Sequence, residues 1–272
     1  MLRAEVNRNR LPALLGRAGS EANLWFESME PWRPPAPRRF YPGRTLRTLH
    51  LVGLSHFQAG VLLLRRPLLT YTADDHVRVL IELFTHAAWI SDAGGLAAPM
   101  TPRQRALCVE LGMARALVDE LEILEAKLQI PFPLGYVADA KRLAHRFRQL
   151  HSNKGCGCRG RGRRYYDVQN TLRALNAVRN EDRLPSATLL YGMWLTFSRS
   201  VHHPRLELLA ADAPGGASVR PATSQERAVT LYNLLLVQSY LAVFAAAPFP
   251  AAQRSIASSA FILQGDIKRL TD

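Results

Sequence analysis

The segment from Ala228 to Gln253 limits the fold more than any other part of this chain, because it contains no charged residue. An uncharged segment of this length can span a bilayer, or it can be covered by other helices in a protein core. Polar residues, Asn233, Gln238 and Ser239 among them, interrupt its apolar residues at helical spacing. We therefore expect a central helix that its neighbours bury, with a membrane span as the alternative.

Helical patterns extend over most of the chain, and no run alternates between apolar and polar residues for long enough to predict a sheet. Thr101–Gln104 and Thr223–Glu226 each have the spacing of a capping box, which predicts a helix start. Besides the central helix that Thr223 opens, the predicted helices cover residues 45–66, 72–91, 101–129, 135–152, 166–180, 185–204 and 251–270. The sequence thus predicts an all-α fold, a multi-helix bundle of seven or eight helices.

Two segments lack this pattern. Residues 30–44 are rich in proline and arginine, and proline removes a hydrogen-bond donor and restricts the residue before it. Residues 153–165 combine glycines, which disfavour regular structure, with cations, which disfavour burial. We expect residues 1–44 to form an N-terminal arm and a Pro/Arg-rich linker. Residues 45–272 then form the helical-bundle domain, with a flexible basic loop at 153–165.

The charge of the chain points to its partners. It has 35 lysines and arginines against 22 acidic residues, a formal net charge of +13. A surplus of this size favours polyanions, which are RNA, DNA or an anionic membrane surface. The alternative is that an arginine-rich genome produces arginine-rich surfaces without a specific partner. Hydrophobic residues make up 48% of the chain, which excludes disorder of the whole chain. We expect RNA or another nucleic acid as the partner.

The cysteines and the N-terminus predict a cytoplasmic protein without a membrane span. Three cysteines, Cys108, Cys156 and Cys158, do not make a secreted disulfide framework, and the N-terminus has no apolar run of signal-peptide length. Cys156 and Cys158 lack the second close pair that a zinc site needs. The glycines around them have the GxGxxG spacing but neither the preceding strand nor the following helix of a dinucleotide site. We expect no metal and no cofactor.

A first candidate site lies on the predicted helix over residues 72–91. Arg78, Glu82 and Trp89 share one stripe of this helix, with His86 at its edge. Arg78 and Glu82 are four residues apart and can form an ion pair. Because the opposite side is apolar, we expect a buried helix and a buried pair. The pair either fixes the register of the helix, or it orients a catalytic histidine or binds a phosphate.

A second candidate site lies at the end of the predicted helix over residues 185–204, where Arg199, His202 and His203 follow an apolar segment. The helix dipole favours cations at that end, so a structural role is sufficient to explain them. The functional alternative is an acid–base unit. An imidazole can move a proton from a ribose 2′-hydroxyl near neutral pH, and a guanidinium can bind the neighbouring phosphate. We predict these three residues as catalytic, with the ion pair of the first site in support.

The predicted helix over residues 135–152 offers an alternative catalytic pair, Arg146 and His151, although a solvated basic face is the simpler explanation of both residues. This helix leads directly into the basic loop, and the two together form a positive surface suited to backbone phosphates. The residues of the loop that we predict to bind nucleic acid are Lys154, Arg159, Arg161, Arg163 and Arg164.

Two short motifs carry a resemblance to known proteins. The first is Arg78-x3-Glu82 with Trp89 on one helix, and the second is the segment Tyr191–His202 with Ser198 four residues before its last histidine. Together they resemble a group of uncharacterised bacterial helical proteins. The resemblance covers roughly residues 45–245, and it implies a helical bundle.

That group is in turn similar to the HEPN superfamily. The HEPN signature is Arg-x4–6-His, with a polar residue after the arginine. Arg146-x4-His151 has the spacing, and Arg199 has the polar follower, Ser200. The resemblance implies an RNA-binding or RNA-cleaving effector of a bacterial defence or toxin–antitoxin system. It further implies a metal-independent endoribonuclease, a homodimer, and a protein partner or antitoxin. The alternative is a non-catalytic helical interaction module that binds a protein or nucleic-acid partner.

Overall fold

A computed structural model of the chain describes residues 10–29, 41–91, 101–128, 136–152, 187–202, 221–245 and 250–271. Within these ranges the chain forms eight α-helices and no strand, so the predicted all-α bundle is confirmed. The helices are α1 (Leu11–Met29), α2 (Tyr41–Leu64), α3 (Thr70–Ser91), α4 (Pro102–Leu128), α5 (Tyr136–Ser152), α6 (Ala187–His202), α7 (Ser224–Ala245) and α8 (Pro250–Thr271). A short 3₁₀ turn, Pro67–Leu69, joins α2 to α3. The helix predicted over residues 166–180 lies outside the described residues.

Both predicted capping boxes form. The Thr101 amide donates to Gln104 Oε1 at 2.7 Å, and the Gln104 amide donates to Thr101 Oγ1 at 3.3 Å. The Thr223 amide likewise donates to Glu226 Oε2 at 2.7 Å, and the Glu226 amide donates to Thr223 Oγ1 at 3.1 Å. These bonds satisfy amides that the first turn of a helix leaves without a partner, and they fix where α4 and α7 begin.

The centre of the bundle consists of α2, α3 and α7. The short turn at Pro67–Leu69 sends α3 back along α2, and α7 packs against both. The uncharged segment therefore supplies the central helix that the sequence predicts, with Leu231, Leu234 and Leu241 in the core. By length and composition alone α7 could also cross a membrane, although 56% of its most apolar window is buried in the bundle. A core helix of this length has the same composition.

Two glycines allow α2 and α7 to approach each other closely. A Cβ atom built on Gly53 would overlap Cδ2 of Leu241, and one built on Gly60 would lie 2.8 Å from Cδ1 of Leu234. The two glycines are seven residues apart, which is two helical turns, so they lie on the same face of α2. The absence of a side chain at both positions sets the distance between the two helices.

Helix α1 belongs to the same core, although the sequence grouped it with the N-terminal arm. Its Leu11, Leu15 and Trp25 are fully or almost fully buried. The Trp25 ring packs on Phe57 with 5.2 Å between centroids, and its indole Nε1 donates to Ser259 Oγ of α8 at 2.7 Å. The pattern of apolar residues in α1 does not by itself indicate which helices cover it, so the sequence does not predict its place in the core. The Pro/Arg-rich residues 30–40 lie outside the described residues.

The antiparallel helices α4 and α5 extend from this core as a hairpin. Of α4, Ala106 and Val109 belong to the main cluster of buried residues, and no described residue of α5 does. Arg105 strengthens the attachment, because its buried Nε donates to the Ile90 carbonyl in the last turn of α3 at 3.1 Å. The Thr45 hydroxyl of α2 donates to Glu110 of α4 at the same junction. The hairpin is thus fixed at the first half of α4.

Candidate functional site

The first candidate site joins α3 to α6. Arg78 Nε donates to Glu82 Oε1 at 3.2 Å, as the four-residue spacing predicts, and the indole Nε1 of Trp194 donates to the same oxygen at 3.1 Å. The side chains of Arg78 and Glu82 are 20% and 31% exposed, so the pair is half-buried where the sequence led us to expect full burial. The stripe that carries the pair faces α6, which packs on this side of α3.

Three aromatic residues of α6, Tyr191, Trp194 and Phe197, are half-buried and pack against the core. The rings of Tyr191 and Trp194 are nearly parallel, with 6.2 Å between centroids. Glu82 accepts a hydrogen bond in the middle of this aromatic surface. Since a hydrogen bond to a carboxylate is stronger than a neutral one, this bond fixes the position of α6 on α3.

His86 lies one turn after Glu82 on α3. Burial lowers the pKa of His86 to about 4, and a hydrogen bond with the Glu82 backbone opposes that shift only in part. The imidazole is therefore neutral at physiological pH. A base with a pKa this far below the working pH is a weak proton acceptor, so this histidine is better suited to a structural role than to general base catalysis.

The predicted catalytic residues Arg199 and His202 lie in the last two turns of α6, but their side chains are outside the described part of the chain, as is the whole of His203. The helix register still places their backbones. Arg199 is nine residues after the buried Leu190, which puts it about 180° around α6, whereas His202 lies about 80° from Trp194. The structure thus brings Arg78, Glu82 and Trp194 together, and it places the backbone of Arg199 on the side of α6 opposite Leu190.

The alternative pair, Arg146 and His151, lies on α5. The five-residue spacing puts their backbones about 140° apart around the helix axis. Arg146 is exposed, and the side chain of His151 is outside the described residues. Within one copy of the chain, this register does not place the two backbones on a common face.

The exposed side of α5 is basic. Lys141 Nζ pairs with Glu122 Oε1 of α4 at 2.7 Å, and Arg142 pairs with Asp139 in the preceding turn. Arg146 has no ion pair among the described residues. The five loop cations that we predicted to bind nucleic acid, Lys154, Arg159, Arg161, Arg163 and Arg164, follow this helix in the sequence and lie outside the described residues.

Two further polar groups, which no local pattern in the sequence reveals, are buried at the centre of the bundle. His50 on α2 and Gln238 on α7 are both 0% exposed, and their side-chain nitrogen and oxygen atoms find no hydrogen-bond partner among the described residues. Burial lowers the pKa of His50 to about 4, so its ring is neutral. Gln238 Oε1 would lie 3.4 Å from a Cβ atom on Gly53, which places it at the close approach of α2 and α7.

A third polar contact joins α2 to α3 near their connecting turn. His56 Nδ1 and His76 Nδ1 are 2.9 Å apart. In the turn before His76, Asp74 Oδ1 accepts a hydrogen bond from Thr230 Oγ1 of α7 at 2.8 Å, and burial raises the pKa of Asp74 to about 6. Sequence analysis missed these residues because 20 positions separate the two histidines, and only the pairing of the helices brings them together.

No protein-family model matches this chain, and neither the comparison with curated proteins nor the comparison with solved structures found a match.

Proposed function

We propose that this chain binds RNA through the outward face of α5 and through the Lys154–Arg164 segment that follows it. Between Tyr136 and Arg164 the sequence has nine lysines or arginines and one aspartate. Nine positive charges less one negative charge give +8, out of +13 for the whole chain. Such a concentration of charge in one segment attracts a polyanion at long range and releases its counterions on contact.

The position of α5 is the observation that carries this proposal. It packs on α4 through its buried Ala140 and Ala144, and no other described helix makes an extensive contact with it. Arg142 and Arg146, one turn apart, are both exposed on the side away from α4. The ion pair of Arg142 with Asp139 is on the surface, where such pairs contribute little to stability. Arg142 can therefore leave Asp139 and bind a phosphate at little cost in free energy.

The resemblance to HEPN proteins favours RNA over DNA as the polyanion, and a bacterial defence or toxin–antitoxin system as the setting. In this interpretation the ion pair of Arg78 with Glu82 has a structural role. Arg78 and Trp194 both donate to Glu82, which holds α6 on α3 and serves the fold whether or not the chain is catalytic. Binding therefore needs fewer assumptions than cleavage.

The binding proposal is tested by the salt dependence of RNA affinity. RNA affinity is measured by fluorescence anisotropy at several salt concentrations. Arg146→Ala should make the negative slope of log Kobs against log salt shallower by about 0.7, the value for one phosphate contact on a single strand. At 0.15 M salt this is about a fourfold loss of affinity. Arg254→Ala is the matched control, because Arg254 is also exposed but lies on α8. Equal losses for both variants would show that the binding surface is elsewhere.

A second candidate function is metal-independent RNA cleavage. The hydrogen bond from Trp194 to Glu82 favours it, since it fixes on α3 the helix that ends with Arg199 and His202. Purified chain incubated with total RNA and a chelator should then release fragments. The His203→Ala chain should not. Fragments of equal yield from both chains would reject this choice of site, and intact RNA from the wild-type chain would reject cleavage while leaving binding in place.

A further inference from the structure

His56 and His76 form a pair of imidazoles between α2 and α3. Their Nδ1 atoms are 2.9 Å apart, their ring centroids are 5.1 Å apart, and the planes of the rings make an angle of 50°. At this distance one Nδ1 carries a proton and donates it to the lone pair of the other. Both rings are half-buried, so one side of the pair is in contact with solvent.

We propose that His56 and His76 form a two-histidine site for a divalent transition-metal ion, which links α2 to α3. Imidazole nitrogens bind such ions at about 2.0–2.1 Å. Two nitrogens 2.9 Å apart then subtend about 90° at the metal, which is the angle between neighbouring ligands in tetragonal copper(II) and nickel(II) sites. A tetrahedral zinc site needs about 3.3–3.4 Å between the nitrogens, so the rings would have to separate by about 0.4 Å.

The protonation state of the pair suits metal binding. Burial lowers the pKa of both histidines, and the charge of His76 lowers the pKa of His56 further, so both rings are neutral at physiological pH. The proton that lies between the two Nδ1 atoms can move to Nε2 of the same ring. This change of tautomer frees both Nδ1 lone pairs for the metal without a net release of protons.

The acidic residues that precede His76 do not complete a ligand set with the pair among the described residues. Asp74 and Asp75 directly precede His76 on α3, and the carboxyl of Asp74 is held by Thr230. Among the described residues no group of three histidines, cysteines or acids forms around one point, so water must supply the remaining ligands. The exposed side of the pair leaves room for that water.

Metal binding to this site should stabilise the folded chain, since the two ligands are far apart in the unfolded chain. Differential scanning fluorimetry should therefore show a melting temperature that rises with the concentration of copper(II) or nickel(II). Magnesium, which prefers oxygen ligands, should leave the melting temperature unchanged. Equal shifts with magnesium and with nickel would overturn the assignment to a pair of imidazoles.

The decisive experiment is calorimetric titration of the full chain, free of any histidine tag, with nickel(II) and zinc(II). The chain carries Cys156→Ser and Cys158→Ser so that these thiols do not compete. We expect one ion per chain, bound at least about tenfold more weakly after His56→Ala or His76→Gln. His145→Ala is the matched control, because that histidine is exposed on α5 and should not contribute.

Three results would overturn the proposal: no binding up to about 1 mM metal, an affinity that both pair variants retain, or an equal loss in the His145→Ala control. If His56→Ala does not give the circular dichroism spectrum of the wild type, His76→Gln alone decides, because it keeps a hydrogen-bonding group at the interface. Electron paramagnetic resonance of the copper(II) form gives a second readout. Its spectrum should show coupling to two imidazole nitrogens in the wild-type pair and to one in the variant.

Discussion

Replacing Gly53 with alanine tests the close packing of α2 and α7. In the interior of a helix, alanine is more favourable than glycine by about 0.5–1 kcal/mol, so the change would stabilise an exposed helix. At Gly53 the new methyl group overlaps Cδ2 of Leu241, and it also meets Cδ2 of Leu80 at 3.5 Å. Both leucines are fully buried, so neither can move without disturbing close-packed neighbours.

Overpacking of this kind costs about 1–3 kcal/mol, occasionally more. After subtraction of the gain in helix propensity, we expect Gly53→Ala to lower the free energy of unfolding by about 1–2 kcal/mol. Gly112→Ala in α4 is the matched control, because no atom lies within 4 Å of a Cβ built there. It should raise the free energy of unfolding by about 0.5–1 kcal/mol. Urea unfolding followed by circular dichroism measures both changes.

A double variant separates the steric overlap from other effects of the substitution. Leu241→Ala alone creates a cavity and should cost about 2–5 kcal/mol. Combined with Gly53→Ala, it removes the atom with which the new methyl group collides, so the double variant should be more stable than the sum of the two single changes by about 1–2 kcal/mol. If Gly53→Ala proves as stable as Gly112→Ala, or if the two changes are additive, the reasoning about close packing at this position is wrong.

Three further predictions concern polar contacts. His50→Leu removes a buried imidazole that has no hydrogen-bond partner among the described residues, and it should raise the free energy of unfolding by about 1 kcal/mol near pH 7.5. Burial lowers the pKa of His50 from 6.5 to about 4, so the unfolded chain binds a proton that the folded chain does not. The wild type should thus lose stability as the pH falls from 6.5 to 4, and the variant should lose about 2–3 kcal/mol less over the same range. Urea unfolding at each pH measures both free energies, and parallel pH profiles of the two chains would contradict the role of His50. Trp194→Phe removes the hydrogen-bond donor to Glu82 but keeps an aromatic ring, so it should weaken the packing of α6 on α3 by about 1 kcal/mol. Amide hydrogen exchange should then become faster in α6 and stay unchanged in the other helices. Thr223→Ala removes one half of the capping box of α7 and should cost about 1 kcal/mol in thermal or urea unfolding, and an unchanged midpoint would refute that role.

Local patterns in the sequence predicted most of the fold. The capping boxes at Thr101 and Thr223 begin helices where we expected, because such a box depends on only four consecutive residues. The ion pair of Arg78 with Glu82 was predictable for the same reason, since a spacing of four residues is one helical turn. The uncharged segment likewise predicted a central helix, because an apolar surface of that size must be covered.

Contacts between helices were not predictable in the same way. The hydrogen bond from Trp194 to Glu82 joins residues 112 positions apart. The pair of His56 and His76 depends on the register of α2 against α3, and the sequence does not contain that register as a local signal. The glycine at position 53 gives no sign of its role without the leucine that faces it. Residues at such contacts become recognisable only when the packing of the helices is known.

The attachment of the α4–α5 hairpin affects how this protein can change over evolutionary time. Of the described residues of the hairpin, only Ala106 and Val109 lie in the main core, so we expect substitutions on the outward face of α5 not to disturb the packing of α2, α3 and α7. Mutations there are tolerated as far as folding is concerned, and selection can alter the number and spacing of cations one at a time. If this surface binds RNA as proposed, its specificity can therefore change between related chains while the core is retained.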